Sequence, residues 1–342
     1  MKIAIHKSTR KGYFSDRWIS YCKENQIPFK EVNCYDSDIV QQLSDCDALM
    51  WHFSHADIKD FLFAKQLIKS LEGKGLITLP NYSSCWHFDD KVAQKYLFDS
   101  QQIPSPKSFV FFEREKAYEW AKTTSYPKVF KLRSGASASN VYLANNISEA
   151  RALIKKAFGK GFRQFNRKTG VYDAFKHFLK GSGYFKELGK SLGKLVIHST
   201  YERYKGKERG YVYFQDFIPN NKFDTRIIVI GSKAYGMNRQ VRPMDFRASG
   251  SGRFIYEPEQ INKDAVRLAF KVSKELNFNV MSYDFIFKNE TPLIIEISYG
   301  FATKGSSKSL GYWDENLNWH SGKIAAEDWM VETVLKQLAE LK

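Results

Sequence analysis

Cysteine is scarce. The 342 residues hold four, Cys22, Cys34, Cys46 and Cys85, all in the first quarter and none in a CxxC pair. That spacing argues against a disulfide framework or a zinc site and leaves buried, reduced thiols as the expectation. Long apolar runs are lacking too: no stretch approaches the ~20 apolar residues of a bilayer-spanning helix. The opening MKIAIHKSTRKGYF passes from a short apolar strand straight into charge, unlike a secretory leader. A cytoplasmic protein is expected. No Ser-His-Asp or Cys-His arrangement stands out, so nothing suggests a side-chain nucleophile, and no internal repeat is visible. Acids are in deficit, 37 against 53 Lys and Arg.

What is present is a core former and a strong positive field. Hydrophobic residues make up 43% of the chain and aromatics 15%, which rules out wholesale disorder. The length suits two or three lobes around a cleft. A net charge of +16 and a pI near 9.4 favour anionic partners: nucleotides, acidic glycans, anionic lipid surfaces or nucleic acid.

Apolar runs at Lys2–Ile5, Pro28–Asn33, Ala48–His52 and Leu76–Leu79 alternate with helical periods at Ser15–Asn25, Ile39–Cys46 and Ile58–Leu71. That order predicts a parallel α/β lobe over residues 1–88, with ligands at the carboxyl ends of its strands, near His6–Tyr13 and His52–His55. An amphipathic helix over Asp89–Ser100 ends at Ile-Pro-Ser-Pro. Beyond Lys107 the character becomes antiparallel α+β. Strands are expected at Lys128–Leu132, Val141–Ala144, Tyr211–Ile218, Thr225–Gly231, Lys233–Gln240, Tyr283–Phe287 and Leu293–Ile297. Helices are expected at Ser148–Ala157, Lys263–Leu276 and Ala326–Leu341.

Three stretches carry chemistry. In Val-Phe-Lys131-Leu-Arg-Ser-Gly135-Ala-Ser137, two strands flank a small-residue loop that could cradle a polyphosphate with backbone N–H groups, beside a lysine point charge. An ordinary hairpin with a polar turn reads equally well there. Tyr283-Asp284-Phe and Ile-Ile-Glu296-Ile-Ser298 each set a carboxylate inside an apolar strand, where a free charge is costly to bury. Alternation turns Glu296 to the face opposite Ile295 and Ile297. Two carboxylates on neighbouring strands suit Mg²⁺, which also takes phosphates and water; solvent-facing carboxylates are the plain alternative. Between these stretches stand Asp224, Arg226, Arg239, Arg242 and Arg247, planar permanent charges suited to phosphoryl groups or carboxylates.

The order DDK91…IPSP, YPKVFKL with its Gly/Ser loop, YFQDFIP, DTRIIVIGSKAYGMNRQ, FRASGSG and YDFIF…PLIIEIS resembles the ATP-grasp superfamily, in particular its ribosomal-protein glutamate ligase and glutathione synthase-like branch. The resemblance covers Asp89–Tyr299. It implies an ATP-grasp fold of two α+β subdomains over 89–342, with a lid subdomain near 107–215, behind the N-terminal lobe. It implies that Lys91 and Lys131 hold ATP phosphates, that Gly135 and Ser137 belong to the lid loop, and that Gln215, Asp216, Phe217 and Ile218 face adenine. Asp224 would reach the ribose, Arg226 and Arg239 the γ-phosphate or acyl phosphate, and Arg247 the substrate. Asp284, Glu296 and Ser298 would hold Mg²⁺ or Mn²⁺. Ser298 departs from the pattern, since relatives carry Asn there, and the lid loop is poorer in glycine.

The implied activity is an ATP-dependent ligase joining a carboxylate to an amine through an acyl phosphate. The substrate is less legible. Residues 155–207, rich in Lys, Arg and aromatics and nearly without acids, form an insertion that could clasp an anionic or lipid-linked glycan at the inner membrane surface, or simply pack on the lobe beneath. A surface-polysaccharide precursor amidated with an amino acid is the expectation. A peptide ligase acting on a small amino acid or protein tail, and a non-catalytic nucleotide- or nucleic-acid-binding homologue, stay open. His52, His55, Arg10 and Lys11 at the ends of the first and third strands read either as acceptor contacts or as polar loop.

Overall fold

The computed structural model describes residues 1–9, 13–135, 140–163, 204, 206–241, 246–248, 252–306 and 308–341. The chain divides into two compact units. One comprises Met1–Phe88, Tyr96–Ser105 and Ile218–Lys342; the other comprises Asp89–Lys95 and Pro106–Phe217.

The first lobe runs β1 (Ile3–His6), α1 (Ser15–Glu24), β2 (Phe29–Val32), α2 (Ile39–Gln42), β3 (Ala48–Met50), α3 (Ile58–Glu72), β4 (Ile77–Leu79) and α4 (Tyr82–Cys85). Its four strands are all parallel, in the order β2-β1-β3-β4. Ile3, Ala4 and Ile5 are fully buried in succession, as a strand covered on both faces requires. Helix α3 shows why the sequence folds this way. Asp57 caps it by accepting the Lys59 N–H at 3.0 Å, and Ala64, Leu67, Ile68 and Leu71 form its inward stripe. The helix expected over Ile39–Cys46 is a single turn, Ile39–Gln42. Only Ile39 and Leu43 reach the core from it, and Asp45 is drawn aside by the ammonium groups of Lys2 and Lys30 at 2.6 and 3.3 Å. All four cysteines are buried thiols without disulfides.

Helix α5 (Lys91–Ser100) leads to β5 (Ser108–Phe111), α6 (Arg114–Thr123), β6 (Lys128–Lys131), β7 (Tyr142–Ala144), α7 (Ile147–Phe158), β8 (Phe162–Arg163), β9 (Lys207–Glu208) and β10 (Val212–Asp216). Strands β5-β10-β6-β7 make an antiparallel sheet. Its core joins Phe130, Leu132 and Phe214 to Ala117 and Ala121 of α6 and Ala150 and Ile154 of α7. Asn146 caps α7 by accepting the Glu149 N–H at 3.0 Å, while Glu149 reaches back to the Asn145 N–H at 2.8 Å. The aromatic positions Phe165, Phe175, Phe178, Tyr184 and Phe185 of the insertion lie outside the described residues.

The chain then forms β11 (Phe223–Ile230), β12 (Lys233–Gln240), β13 (Phe254–Ile255), α8 (Lys263–Glu275), β14 (Val280–Lys288), β15 (Thr291–Ser298), α9 (Thr303–Ser306), β16 (Gly311–Asp314), β17 (Trp319–Ser321) and α10 (Ala326–Glu340). The sheet order is β15-β14-β11-β12-β16-β17, with β13 on β12. Gly231 at φ 54° permits the two-residue turn between β11 and β12, and Asn289 and Glu290, both at positive φ, turn β14 into β15. The core of this unit is continuous: Trp18 and Trp51 of the parallel lobe belong to one cluster with Ile227, Met281, Trp329 and Met330.

One strand departs from simple alternation. Between β14 and β15 the register shifts at Asp284/Phe285, so that Asp284 faces Glu296 while Phe285 faces Ile294. Ile295 is the extra residue of a β-bulge. Ile294 and Ile297 are buried, whereas Ile295 is only half-buried. Strict alternation would have sent Ile295 into the core beside Ile297; the bulge sends Ile294 there instead.

Candidate active site

The bulge sets the register of charges on one sheet face. Asp284 pairs with Glu296 on one side and with Arg226 on the other; Asp224, two residues before Arg226, pairs with Arg239. Opposed residues of an antiparallel pair project to the same face. Asp224, Arg226, Arg239, Asp284 and Glu296 therefore share a face, while Ile227, Tyr283, Phe285 and Ile297 fill the core on the other. Ser298, two residues after Glu296, stands on the charged face as well.

Four of these side chains form a linked quartet. Arg239 donates Nε and Nη2 to the two oxygens of Asp224 at 2.6 and 2.7 Å, and Nη2 also to Asp284 Oδ2 at 2.7 Å. Arg226 donates Nε and Nη2 to Asp284 at 2.7 and 2.8 Å. Burial opposes ionisation of Asp284, and the two arginines overcome it, holding its carboxyl well below the usual range. Burial dominates at Asp224 and pushes it up to about 6, against the pull of Arg239. Burial likewise disfavours the charge of Arg239, but Asp284 and Asp224 together keep it a permanent cation. The Ser298 hydroxyl donates to the Gly300 carbonyl at 2.7 Å, which turns its lone pairs outward from that bond.

The second unit gathers lysines. Lys91, the first residue of α5, is nearly buried; its Nζ donates to the Gly135 carbonyl at 3.0 Å and its N–H to the Arg133 carbonyl at 2.8 Å. Gly135 sits at φ 121°, a region few side chains tolerate, and gives its own N–H to Asp89 at 2.8 Å. Lys131 donates to the Gln215 amide oxygen at 2.7 Å, and the amide nitrogen of Gln215 is held by Ser108 and Tyr213 at 3.1 and 3.3 Å. Asp216 binds buried Lys128 at 2.5 Å and spends its N–H on the Lys107 carbonyl. These contacts form three separate sets: Lys91 with Gly135, Lys131 with Gln215, and Lys128 with Asp216. Phe217, which ends this unit, and Ile218, which begins the next segment of the other, are half-buried just past β10.

Arg247 is half-buried on the short described stretch 246–248. Ser137, Arg242, Arg10 and Lys11 lie outside the described residues. His52 is packed, not presented: its ring stacks on Phe14 at 3.8 Å and its Nδ1 accepts the Phe14 N–H at 3.3 Å. His55 stands edge-on to Phe88 at 5.4 Å. Among the described residues no group of three or more His, Cys, Asp or Glu is arranged to hold a metal ion unaided, and no helix is long and apolar enough to cross a membrane.

Two participants were not visible from sequence. Glu208 accepts the hydroxyls of both Ser134 and Tyr211, and so anchors the start of the Gly/Ser loop. Tyr299, directly after Ser298, is buried with its hydroxyl on the Phe53 carbonyl, which ties the end of β15 to the loop after β3. Neither belongs to a motif, so only contact geometry could single them out.

Residues 198–315 match the RimK-like ATP-grasp domain. That match takes in β9 to β16 and with them Arg226, Arg239, Asp284, Glu296 and Ser298. Across nearly its whole length the chain has the fold of an ATP-grasp RimK domain protein from Sphaerobacter thermophilus, with a TM-score of 0.55 at 13% identity over 98% of this chain and 100% of that one. It is similarly related in fold to a D-alanine–D-alanine ligase from Bacillus anthracis complexed with ATP, with a TM-score of 0.57 at 12% identity over 100% and 99%. In sequence, 77 residues are 27% identical to the alpha-aminoadipate–LysW ligase LysX of Saccharolobus solfataricus. The match spans 22% of this chain and 28% of that protein.

Proposed function

We propose that the protein is an ATP-dependent carboxylate–amine ligase. A substrate carboxylate oxygen attacks the γ-phosphorus of ATP, and ADP leaves. An amine nitrogen then attacks the carbonyl carbon of the acyl phosphate; phosphate departs with the bonding pair and the nitrogen loses a proton. The observation that carries this reading is the bulge-set pairing of Asp284 with Glu296 beside Arg226 and Arg239, within the stretch that matches the RimK-like domain.

The donor set fits a hard divalent cation. Two carboxylates directly opposed on neighbouring strands and a nearby hydroxyl are oxygen ligands, too few for a closed cage and suited to an ion that keeps water and phosphate oxygens. Asp284, Glu296 and Ser298 would hold Mg²⁺ or Mn²⁺, which when bound neutralises charge on the transferring phosphoryl group. The protein's own part is positioning and fixed charge. Lys91 and Lys131 are assigned the phosphates, Arg226 and Arg239 the charge that develops on the transferring group, and Gln215 to Ile218 the adenine. Arg247 is assigned to the carboxylate substrate.

Two substrate classes are weighed. The basic, aromatic segment 155–207 and the net charge of +16 support a large anionic acceptor such as an acidic glycan precursor. The relative whose name describes ligation to LysW supports a protein or peptide acceptor. ADP release measured against a panel of acidic glycans, peptides and amino acids separates the two. Asp284→Asn and Glu296→Gln should each abolish acceptor-dependent ADP release while leaving the melting curve of the second unit unchanged. Turnover persisting in both variants would refute the site assignment. Tight, salt-sensitive nucleic-acid binding without any turnover would favour a binding module instead.

A further inference from the structure

The two arginines of the quartet are held unequally. Arg239 is gripped by both oxygens of Asp224 and also touches Asp284, and its side chain is 7% exposed. Among the described residues Arg226 is held by Asp284 alone, through a two-pronged bond at 2.7 and 2.8 Å, and its side chain is 27% exposed. Asp284 already accepts three hydrogen bonds from the two guanidinium groups, close to the four lone-pair directions that a carboxylate offers. Yet it is also the residue opposite Glu296, where a cation would be held. A cation on Asp284 must compete for the electrons that now grip Arg226.

Resting on the ligase reading, we propose that Arg226 is an exchangeable arm and Arg239 a fixed one. A divalent cation that ligates Asp284 releases Arg226, which becomes available to a phosphoryl oxygen. Asp224 is the positioning residue that prevents Arg239 from following. Among the described residues Asp224 has no other cation in its bonds, and Arg239 keeps two of its three contacts when Asp284 is taken. Cation and phosphate then favour each other's binding through one side chain, and the coupling is reciprocal. A metal ion arriving alone binds against the cost of breaking the Arg226 bond.

Direct Mn²⁺ binding to the nucleotide-free protein, followed by electron paramagnetic resonance of the free ion, tests this without reference to turnover. Arg226→Gln removes the competitor, and Arg226→Lys keeps the positive charge but cannot make the two-pronged bond. Both should bind Mn²⁺ about three- to tenfold more tightly than the wild type, an effect of losing one bidentate charge-assisted contact. If only the Gln variant tightens, bulk charge is responsible and the exchange is overturned; if neither does, it is overturned outright. Asp224→Asn should lower kcat while leaving the KM for ATP and the nucleotide-free Mn²⁺ affinity as they were; a raised KM with unchanged kcat would overturn its positioning role. Failure of the ligase reading looks different: the wild type itself would then show no Mn²⁺ binding sensitive to Asp284→Asn and no ADP release with any acceptor.

Discussion

Lowering the pH from 7.5 to 5 should weaken the first unit through three packed histidines, His6, His52 and His87. His6, at the end of β1, is 5% exposed, and its Nδ1 accepts the Cys34 N–H at 3.0 Å, a bond that a protonated ring nitrogen cannot make. His87 is fully buried between Trp86 and Phe278. His52 Nδ1 likewise accepts the Phe14 N–H at 3.3 Å. Burial lowers His6 to about 4 and His52 and His87 to about 3. In the unfolded chain all three titrate near 6.5. Between pH 6.5 and 4 the unfolded state therefore binds the extra protons, and stability falls as pH falls. At pH 5 each histidine costs about 2 kcal/mol relative to pH 7.5, a figure set by the unfolded value as long as the folded one stays at or below 4. Asp224 acts in the opposite direction. Raised to about 6 from an ordinary 3.8, it takes up a proton in the folded state first and returns about 1.4 kcal/mol at pH 5. The net expectation is a loss of about 4.5 kcal/mol. Urea unfolding at the two pH values, followed by tryptophan fluorescence, reads this unit, because of the seven tryptophans only Trp120 lies in the other. His87→Leu should shrink the loss to about 2.5 kcal/mol by removing one of the three protons. Equal stability of the wild type at both pH values, or an undiminished loss in His87→Leu, would refute the assignment.

Two further changes test the packing. A methyl group on Gly311 would lie 2.2 Å from the His320 carbonyl oxygen and 2.7 Å from the Trp319 ring, both across the β16–β17 pair, so Gly311→Ala should destabilise the first unit by about 1–3 kcal/mol in urea titration. Phe130→Ala removes the centre of the second unit's core, where its ring meets Phe162, Phe214 and Tyr142. It should cost that unit about 3–5 kcal/mol, read by hydrogen exchange in β6 and β10, with protection in β1 and β3 unchanged.

Much of the architecture was legible because the chain spells out its periods. The four strands and long helices of the parallel lobe follow from unbroken apolar runs, and Lys233–Gln240 was read to the residue. Elements with weak periodicity were harder. Strand β5 and helix α6 follow the IPSP prolines, and α6 sends only Ala117 and Ala121 to the core, small residues that leave little hydrophobic signature. The β16–β17 hairpin is short and rich in Trp, Tyr and His, whose rings pack on one another (Trp313 on Trp319 at 4.6 Å) without polar–apolar alternation. The carboxylates Asp284 and Glu296 were legible as misfits in apolar strands, but their facing register depends on the Ile295 bulge, a backbone event that no residue type announces. Asp224 illustrates the same limit. The family resemblance implies a ribose contact for it, and in the structure its two oxygens are both held by Arg239, thirteen strand positions and a turn away in the chain but directly opposite in the hairpin.

The first unit is discontinuous, and synthesis on the ribosome makes that consequential. Met1–Phe88 share one apolar core with Trp329, Met330 and Val331 of α10, which is made much later. At about 5–20 residues per second, roughly 6–25 s separate the emergence of Ile218 from that of Lys342. The sheet strands of the second unit, β5, β6, β7 and β10, are complete once Asp216 has appeared. The later-encoded unit can thus close while the earlier one still waits, nascent, for its far end.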